Sequence, residues 1–289
     1  MKKGIALLIT IGFVAVLTAL IAYIFSLSNS VFNEAKKVHS LNQGQILSGD
    51  IKKLIDRYIQ DVNSSDDFSN FLIGIPPFYD TKSGLGIEIE IAPLSNRIDI
   101  NSILVKNKVN KNIEEFLQKI CADYNVLDPS FFIALVLDTI DTDDISRQAL
   151  SEISLQNTKY TNGKIFDEAQ FEVLKKYYSN VVQDKSIFNI PWKKFIYFGD
   201  SKPGIVDCDR MSKEMIDILG LHGENFVGCD DLKSDELKDI AIKYNLKKFN
   251  KLVHYYILVK IYYQVNSFKD RASFVYDIKT KKASSFELF

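Results

Sequence analysis

Residues 2–27 read KKGIALLITIGFVAVLTALIAYIFSL, and this stretch decides the architecture. Its apolar part, Ile5–Leu27, runs for 23 residues without a charge. At about 1.5 Å of rise per residue, such a helix exceeds the roughly 30 Å hydrocarbon core of a bilayer. The competing interpretation is a secretory signal peptide, but its apolar region usually has only about 7–15 residues. We therefore expect residues 5–27 to form a single membrane-spanning helix.

Basic residues before the apolar run predict its orientation. Lys2 and Lys3 precede it, and positive charge resists translocation across a membrane. Lys36 and Lys37 on the other flank weaken this bias, although they lie nine residues beyond Leu27. We expect the N-terminus to stay inside and the rest of the chain to lie outside.

The junction between Gly4 and Ile5 resembles the leader of a type IV prepilin, which is short and basic and ends in glycine before a long apolar helix. The resemblance implies that a prepilin peptidase cleaves between these two residues. Pilins usually carry Glu at the fifth mature position, whereas this chain has Ile9 there. Because a buried carboxylate costs several kcal/mol unless it is paired, a subunit with no neighbour ahead of it gains by lacking one. An ordinary signal anchor with a chance glycine is the alternative.

Composition excludes several classes. The chain has 289 residues, a net charge of −1 and a pI near 6.3, so it carries no basic footprint for nucleic acid. Its 13 glycines and 6 prolines argue against long flexible linkers. The length allows a core of ordinary size.

Helical spacing of apolar residues continues beyond the membrane segment. It includes Val31, Ala35, Val38, Leu41, Ile46, Leu54, Ile55, Tyr58 and Ile59. We predict one helix from Ile5 to about Val62, with a length of about 87 Å. Its second half is amphipathic and must therefore pack against another element.

Four segments have the composition and alternation of strands. They are Leu85–Ile100, bent at Pro93, then Leu252–Val265, Ala272–Ile278 and Ala283–Phe289. Charged residues at Lys269–Arg271 and Lys279–Lys282 predict the turns between the last three. We expect an antiparallel meander with one face on the long helix.

A helical block separates the first strand from this meander. Predicted helices are Asn112–Tyr124, Pro129–Thr139, Glu168–Val182, Ser212–Leu219 and Asp231–Tyr244. The fold class is thus α+β: a pilin-like long helix on an antiparallel sheet, with a large helical domain inserted between strands. The expected divisions are a leader at 1–4, a membrane half at 5–27, a pilin-like part at 28–108 and 251–289, and an inserted domain at 109–250.

Four ordered segments carry a resemblance to a known family: Ala92–Asn101, Leu137–Asp143, Asn162–Phe171 and Gly204–Asp209. They are similar to landmarks of the minor pseudopilin K family of type II secretion (general secretion pathway protein K). That family has a prepilin leader without the usual Glu, and a helical domain inserted into a pilin-like sheet. This chain departs from the pattern: Thr139 replaces a Trp, and Asp207 and Asp209 replace Asn. The loop between Asp143 and Asn162 is much shortened.

Acidic residues at the end of one predicted helix are the candidate metal ligands: Asp138, Asp141, Asp143 and Asp144. Their mutual repulsion calls for a cation or basic groups, and Ca²⁺ prefers 6–8 oxygen ligands. The resemblance also implies calcium in the inserted domain. The alternative is a solvated helix end whose aspartates cap a following helix, Ile145–Ile153. A second acidic group, Asp230, Asp231, Asp235 and Asp239, lies at a predicted helix start, where the helix dipole favours acids without metal.

Three cysteines are present, Cys121, Cys208 and Cys229. The last two flank a predicted helix and its return and could form a disulfide, since disulfides persist outside the bacterial inner membrane. Cys121 would then be a buried free thiol. The alternative is that all three are unpaired.

No enzymatic motif is found in the sequence. The histidines His39, His222 and His254 lie far apart, and the chain lacks a phosphate-binding glycine loop, a nucleophile elbow and an HExxH helix. We therefore expect neither a catalytic role nor a small-molecule substrate.

The resemblance implies a minor pseudopilin at the tip of the type II secretion pseudopilus, anchored in the bacterial inner membrane with its bulk in the periplasm. Its expected partners are other minor pseudopilins, bound through the long helix, and the prepilin peptidase. One alternative is a minor pilin of a type IV pilus or DNA-uptake machine. Another is an unrelated membrane-anchored sensor or binding domain.

Overall fold

The computed structural model describes the backbone of residues 2–80, 84–200, 204–221, 226, 228–233, 235–265 and 268–288. Side chains are described for these residues except 2–16, 33, 36–37, 39–41, 233, 235–236, 265, 268 and 288. The α-helices are α1 Lys2–Asp61, α2 Ser65–Ile73, α3 Lys111–Asp123, α4 Pro129–Ile140, α5 Glu168–Val182, α6 Lys213–Leu219 and α7 Asp235–Lys243. Short 3₁₀ helices span Ile100–Ile103, Ser186–Phe188, Trp192–Lys194 and Cys229–Lys233.

The strands are β1 Phe78–Asp80, β2 Leu85–Pro93, β3 Ile98–Asp99, β4 Leu104–Val105, β5 Lys108–Val109, β6 Ile196–Tyr197, β7 Val206–Asp207, β8 Leu246–Lys247, β9 Tyr256–Val265, β10 Phe268–Asp277 and β11 Lys282–Leu288. Five of them form an antiparallel sheet in the order β1-β2-β9-β10-β11. Since β2 and β9 are neighbours in this sheet, the chain between them leaves the sheet and returns to the adjacent position. That excursion contains the helices α3–α7.

The second half of α1 packs on one face of this sheet. Its buried isoleucines are Ile51, Ile55 and Ile59, and they share a core with Val62, just beyond the helix, and with the inward side chains of β2, β9 and β10. The Tyr276 hydroxyl of β10 donates a 2.6 Å hydrogen bond to Asp56 of α1. The apolar stripe and this bond together fix the helix on the sheet.

Helix α2 begins with a capping box that its sequence encodes. The Ser64 hydroxyl accepts from the Asp67 amide, and the Asp67 carboxylate accepts from the Ser64 amide at 3.0 Å. Phe68 is fully buried, with its ring stacked on Phe249 at 4.0 Å between centroids and edge-on to Tyr255. This helix therefore closes the end of the core between α1 and the sheet.

The excursion between β2 and β9 forms a helical lobe with its own core. Phe132 and Phe171 lie at its centre and contact Trp192 at 5.3 and 5.2 Å between ring centroids. Two short parallel pairs, β3 with β6 and β7 with β8, hold the segments between helices. The core already includes Ile98, Ile100, Ile103 and Leu104, which precede the predicted boundary at 109.

A small apolar cluster joins the lobe to the outer face of the sheet. Tyr197 of β6 packs there with Tyr256 and Val275 of the sheet and with Leu94. Backbone bonds add to this junction, because the Leu94 and Ser95 amides both donate to the Tyr256 carbonyl. The lobe therefore rests directly on β9 and β10.

The α+β class predicted from sequence is confirmed, and most predicted helices agree with the structure to within one or two residues. The turn predicted at Lys269–Arg271 is wrong, because these residues belong to β10 and pair with Tyr262–Gln264 of β9. Their charges are accommodated because Lys269 and Arg271 are exposed in the strand. The segment 145–153 forms turns rather than the helix considered as an alternative.

Candidate functional site

The first surface of interest is the projecting part of α1. Every residue from 17 to 32 is exposed, including the apolar Leu20, Ile24 and Phe25. Among the residues with described side chains, none of the helices has both the length and the apolar character to cross a membrane. Gly4 and Ile5 lie near the start of α1, but their side chains and that of Ile9 lie outside the described residues.

Further along α1, a groove opens between this helix and α2. We call it the α1–α2 groove; its volume is about 400 Å³. It is lined by Tyr58, Asp61, Val62, Asp67, Asn70, Phe71, Gly74, Ile75 and Pro76. Its lining is mainly apolar and includes two carboxylates but no basic side chain. Tyr58 in this lining is exposed, and so are the apolar side chains of Ile73 at the end of α2 and Ile46 earlier in α1.

The second region of interest is the acidic end of α4. Asp138 is completely buried, and its carboxylate accepts hydrogen bonds from the Arg147 amide at 3.0 Å, the Arg147 guanidinium and the Ser151 hydroxyl. The same guanidinium nitrogen also pairs with Asp141. Burial raises the pKa of the Asp141 carboxyl, and the bond to Arg147 opposes this effect. The structure thus brings two of the four predicted ligands together around an arginine.

The other two predicted ligands, Asp143 and Asp144, accept local hydrogen bonds at the surface. Asp143 accepts from the Ile145 amide at 2.9 Å, and Asp144 accepts from the Ser154 hydroxyl at 3.1 Å. Glu152 is buried, and one of its oxygens accepts from the Ser154 hydroxyl and from the side-chain amide of Asn162. These bonds organise the loop from 141 to 163.

The four predicted aspartates do not fit a calcium site as they are arranged. Arg147 lies between the Asp138 and Asp141 carboxylates, where a shared ion would have to sit. Three other buried oxygens, Asp141 Oδ1, Glu152 Oε2 and Asn162 Oδ1, have no hydrogen-bond donor among the described residues. A carboxylate or amide oxygen without a donor is the type of ligand that calcium accepts. Any ion in this loop would therefore use this different set of oxygens.

A third polar cluster lies where the lobe meets α2. Asp207 is fully buried and accepts from the Tyr255 hydroxyl at 2.6 Å and from the Arg210 guanidinium at 2.8 Å. Burial raises the pKa of the Asp207 carboxyl, while these two partners oppose the shift. Arg210 also donates to the Ser65 carbonyl at 2.7 Å and lies 4.9 Å above the Phe68 ring. We call Asp207, Arg210, Tyr255, Ser65 and Phe68 the lobe–α2 joint.

Next to this joint, Cys208 and Cys229 form a disulfide, the pairing that the sequence left open. Asp207, Asp209 and Cys229 place potential ligand atoms within 4.8 Å of one another. Because the Cys229 sulfur is bonded to Cys208, it offers no thiolate, and Asp207 already serves Arg210. This group is therefore structural. Cys121 is a buried free thiol whose pKa burial raises to about 12, which makes it unreactive.

The remaining acidic and basic candidates have local partners. Asp230 pairs with Lys248 at 2.7 Å, and Asp231 accepts from the Gly228 amide at 3.0 Å. Asp235 begins α7, and its side chain lies outside the described residues, as do those of His39 and His222. His254 forms a 2.8 Å hydrogen bond with Asp277, the last residue of β10.

Two polar segments singled out in the sequence hold the lobe together from inside. Asp99 accepts from the Asn101 and Gly199 amides, and the Asn101 side chain bonds both the amide and the carbonyl of Ile165. Sequence reasoning missed Arg147 and Arg210, the partners of the buried carboxylates. The sequence feature that could have pointed to them is the rarity of arginine, since only five of the 36 lysine and arginine residues are arginine.

The whole fold is similar to a chain in the crystal structure of the GspK–GspI–GspJ complex from the type 2 secretion system of enterotoxigenic Escherichia coli. The TM-score is 0.57 at 11% sequence identity, and the match covers 89% of this chain and 97% of that one. Among protein-family models and curated protein sequences, none matches this chain. At this identity the likeness establishes the fold alone, and it agrees with the α+β architecture expected from the sequence.

Proposed function

We propose that this chain is a minor pseudopilin of a type II secretion machine and occupies the tip of its pseudopilus. The observation that carries the proposal is the combination of a 60-residue helix, a pilin-like sheet and a helical lobe between two neighbouring strands. The proposal is supported by the fold similarity to a chain of the GspK–GspI–GspJ complex, which covers 89% of this chain and 97% of that one. The sequence also offers no catalytic motif, which favours a structural role.

The tip position follows from two features of the chain. The lobe packs on the outer face of the sheet and adds bulk beside β9 and β10, which would obstruct a second copy stacked directly above. Ile9 in place of a glutamate removes the group that would neutralise the amine of a subunit ahead. A subunit with these two features would fit the tip of the filament, where no other subunit lies ahead of it. It would be anchored in the inner membrane through residues 5–27, after cleavage between Gly4 and Ile5.

The neighbouring minor pseudopilins would bind along α1. Tyr58 exposes its ring at the α1–α2 groove, and Ile46 is an exposed apolar side chain nearer the N-terminus of the same helix. Burying such side chains against a neighbouring helix contributes roughly 25 cal/mol per Å² of apolar surface removed from water. The acidic groove favours a helix that is apolar and carries basic residues at its edge.

Pull-down of the full chain with co-expressed minor pseudopilins tests this surface. Ile46→Arg places a charge in the proposed interface and should reduce co-purification at least about tenfold, the equivalent of roughly 1.4 kcal/mol. Ile242→Arg is the matched control, because Ile242 is an equally exposed isoleucine on helix α7 of the lobe. Equal loss with both variants, or with neither, would contradict the proposed interface.

N-terminal sequencing of the membrane-extracted protein tests the membrane and processing steps. A mature chain beginning at Ile5 is expected. A chain that is recovered without membrane association, or that keeps residues 1–4, would favour the alternative of an unrelated sensor or binding domain. Recovery with pilus components instead of secretion components would favour the minor pilin of a type IV pilus.

A further inference from the structure

The acidic end of α4 contains its own cation. Asp138 and Asp141 lie in and just beyond the last turn of the helix, where the helix dipole is negative and disfavours further negative charge. Both carboxylates are buried, so they need a positive partner. The Arg147 guanidinium contacts both of them, and its side chain is about one-third exposed.

The backbone around Arg147 is arranged for this contact. Its own amide donates to Asp138 at 3.0 Å, so main chain and side chain of one residue bind the same carboxylate. Ser151 donates to Asp138 as well, and its hydroxyl also accepts from the Gln148 amide at 2.9 Å. The turn that contains Arg147 is thus closed on the end of α4 from both sides.

We propose that Arg147 is the structural cation of this lobe, occupying the place where the family resemblance predicts a metal ion, and that the lobe folds without metal. The guanidinium neutralises one of the two carboxylate charges and supplies directed hydrogen bonds, which an ammonium group does less well. In this arrangement the shortened loop between Asp143 and Asn162 needs no ion to hold it.

The competing arrangement is a calcium ion on the three oxygens without donors, Asp141 Oδ1, Glu152 Oε2 and Asn162 Oδ1. The second oxygen of the Asp141 carboxylate already bonds Arg147. A divalent ion on the first oxygen would therefore lie close to the guanidinium and be repelled by it. This repulsion is the physical reason for preferring the arginine to the ion.

Thermal melting of the purified full-length chain in detergent distinguishes the two arrangements. With 2 mM calcium or with chelator, the native chain should melt at the same temperature, to within about 1 °C. Arg147→Ala should lower the melting temperature by roughly 6–20 °C, because it leaves two buried carboxylates without their cation. Adding Asp141→Asn to Arg147→Ala should recover part of that loss.

Arg57→Ala is the matched control, since Arg57 is exposed on α1 and its loss should leave the melting temperature nearly unchanged. If Arg147→Ala fails to fold, Arg147→Lys is measured instead: it keeps the charge, so its melting temperature should lie below that of the native chain by less than about 6 °C. A calcium-dependent rise of several degrees in the native chain would overturn the proposal. So would an Arg147→Ala variant as stable as the native chain.

Discussion

Removing Arg210 is the sharpest test of how the lobe is held to α2. The variant Arg210→Ala leaves Asp207, which is fully buried, with the Tyr255 hydroxyl as its remaining side-chain donor. It also removes the hydrogen bond to the Ser65 carbonyl and the contact with the Phe68 ring. Breaking a buried ion pair by deleting one partner costs about 3–5 kcal/mol. We expect a destabilisation of this size.

The single tryptophan provides the assay. Trp192 is buried in the core of the lobe, so its fluorescence reports unfolding of the lobe in urea. The midpoint should fall for Arg210→Ala, and the melting temperature should fall by roughly 6–20 °C. Arg57→Ala is the control, because Arg57 is exposed on α1 and its loss should change stability by less than about 0.5 kcal/mol.

The pH dependence of the loss identifies its cause. Burial holds the pKa of the Asp207 carboxyl above its ordinary value, and Arg210 opposes this shift, so removing Arg210 raises the pKa further. A carboxyl whose pKa is higher in the folded than in the unfolded state destabilises the fold when ionised, and protonation relieves the penalty as pH falls toward the unfolded value near about 4. The deficit of Arg210→Ala should therefore be smaller at pH 5 than at pH 8.

Two results would refute this reasoning. One is a deficit that stays constant or grows between pH 8 and pH 5, which would mean that the buried charge is not its origin. The other is a double variant, Asp207→Asn with Arg210→Ala, that is no more stable than Arg210→Ala at pH 8. Asparagine carries no charge, so the double variant should recover part of the loss.

Two further predictions concern the same lobe. The disulfide between Cys208 and Cys229 closes a loop with a sequence separation of 21, so Cys208→Ser should lower the free energy of unfolding in urea by about 3 kcal/mol. A reductant should lower the free energy of unfolding of the native chain by the same amount and leave that of the variant unchanged. A Cys208→Ser variant as stable as the oxidised native chain would contradict this. Gly199→Ala should destabilise the chain by about 1–3 kcal/mol, because its Cβ would lie 2.5 Å from an Asp99 oxygen. Its control is Gly49→Ala on α1, which has open space around the new Cβ and should be neutral or stabilising by up to about 1 kcal/mol. Equal melting temperatures for the two alanine variants would show that the Asp99 contact is not tight.

Periodicity and capping signals predicted the elements of the fold well. Asp128 and Pro129 mark the start of α4, and Ser212 and Gly220 mark the two ends of α6, because caps and turns are encoded locally. The insertion of the lobe followed from a helical block between strand-forming segments. The turn at Lys269–Arg271 was predicted wrongly because three adjacent charges resemble a turn when neither face of the strand is known.

The candidate site was harder to predict because its partners are distant in sequence or lie in irregular loops. Asp138 and Asp141 were visible as a cluster, but their cation is Arg147, in a segment that has turns instead of helical periodicity. Asp207 meets Tyr255, a partner 48 residues away. Pairing of this kind depends on the tertiary packing of the lobe against the sheet, which no local pattern contains.

The distribution of arginine offers a physical explanation that unites these sites. Basic residues in this chain are nearly all lysine, with arginine at only five of 36 positions. Arg97 bonds the carbonyls of Pro93 and Lys193, and Arg147 and Arg210 bind buried carboxylates, so three of the five join separate segments. A flexible lysine serves an exposed face equally well, whereas a planar guanidinium can hold several fixed acceptors at once. These three arginines are therefore the residues whose replacement by lysine should loosen the lobe while leaving the net charge unchanged.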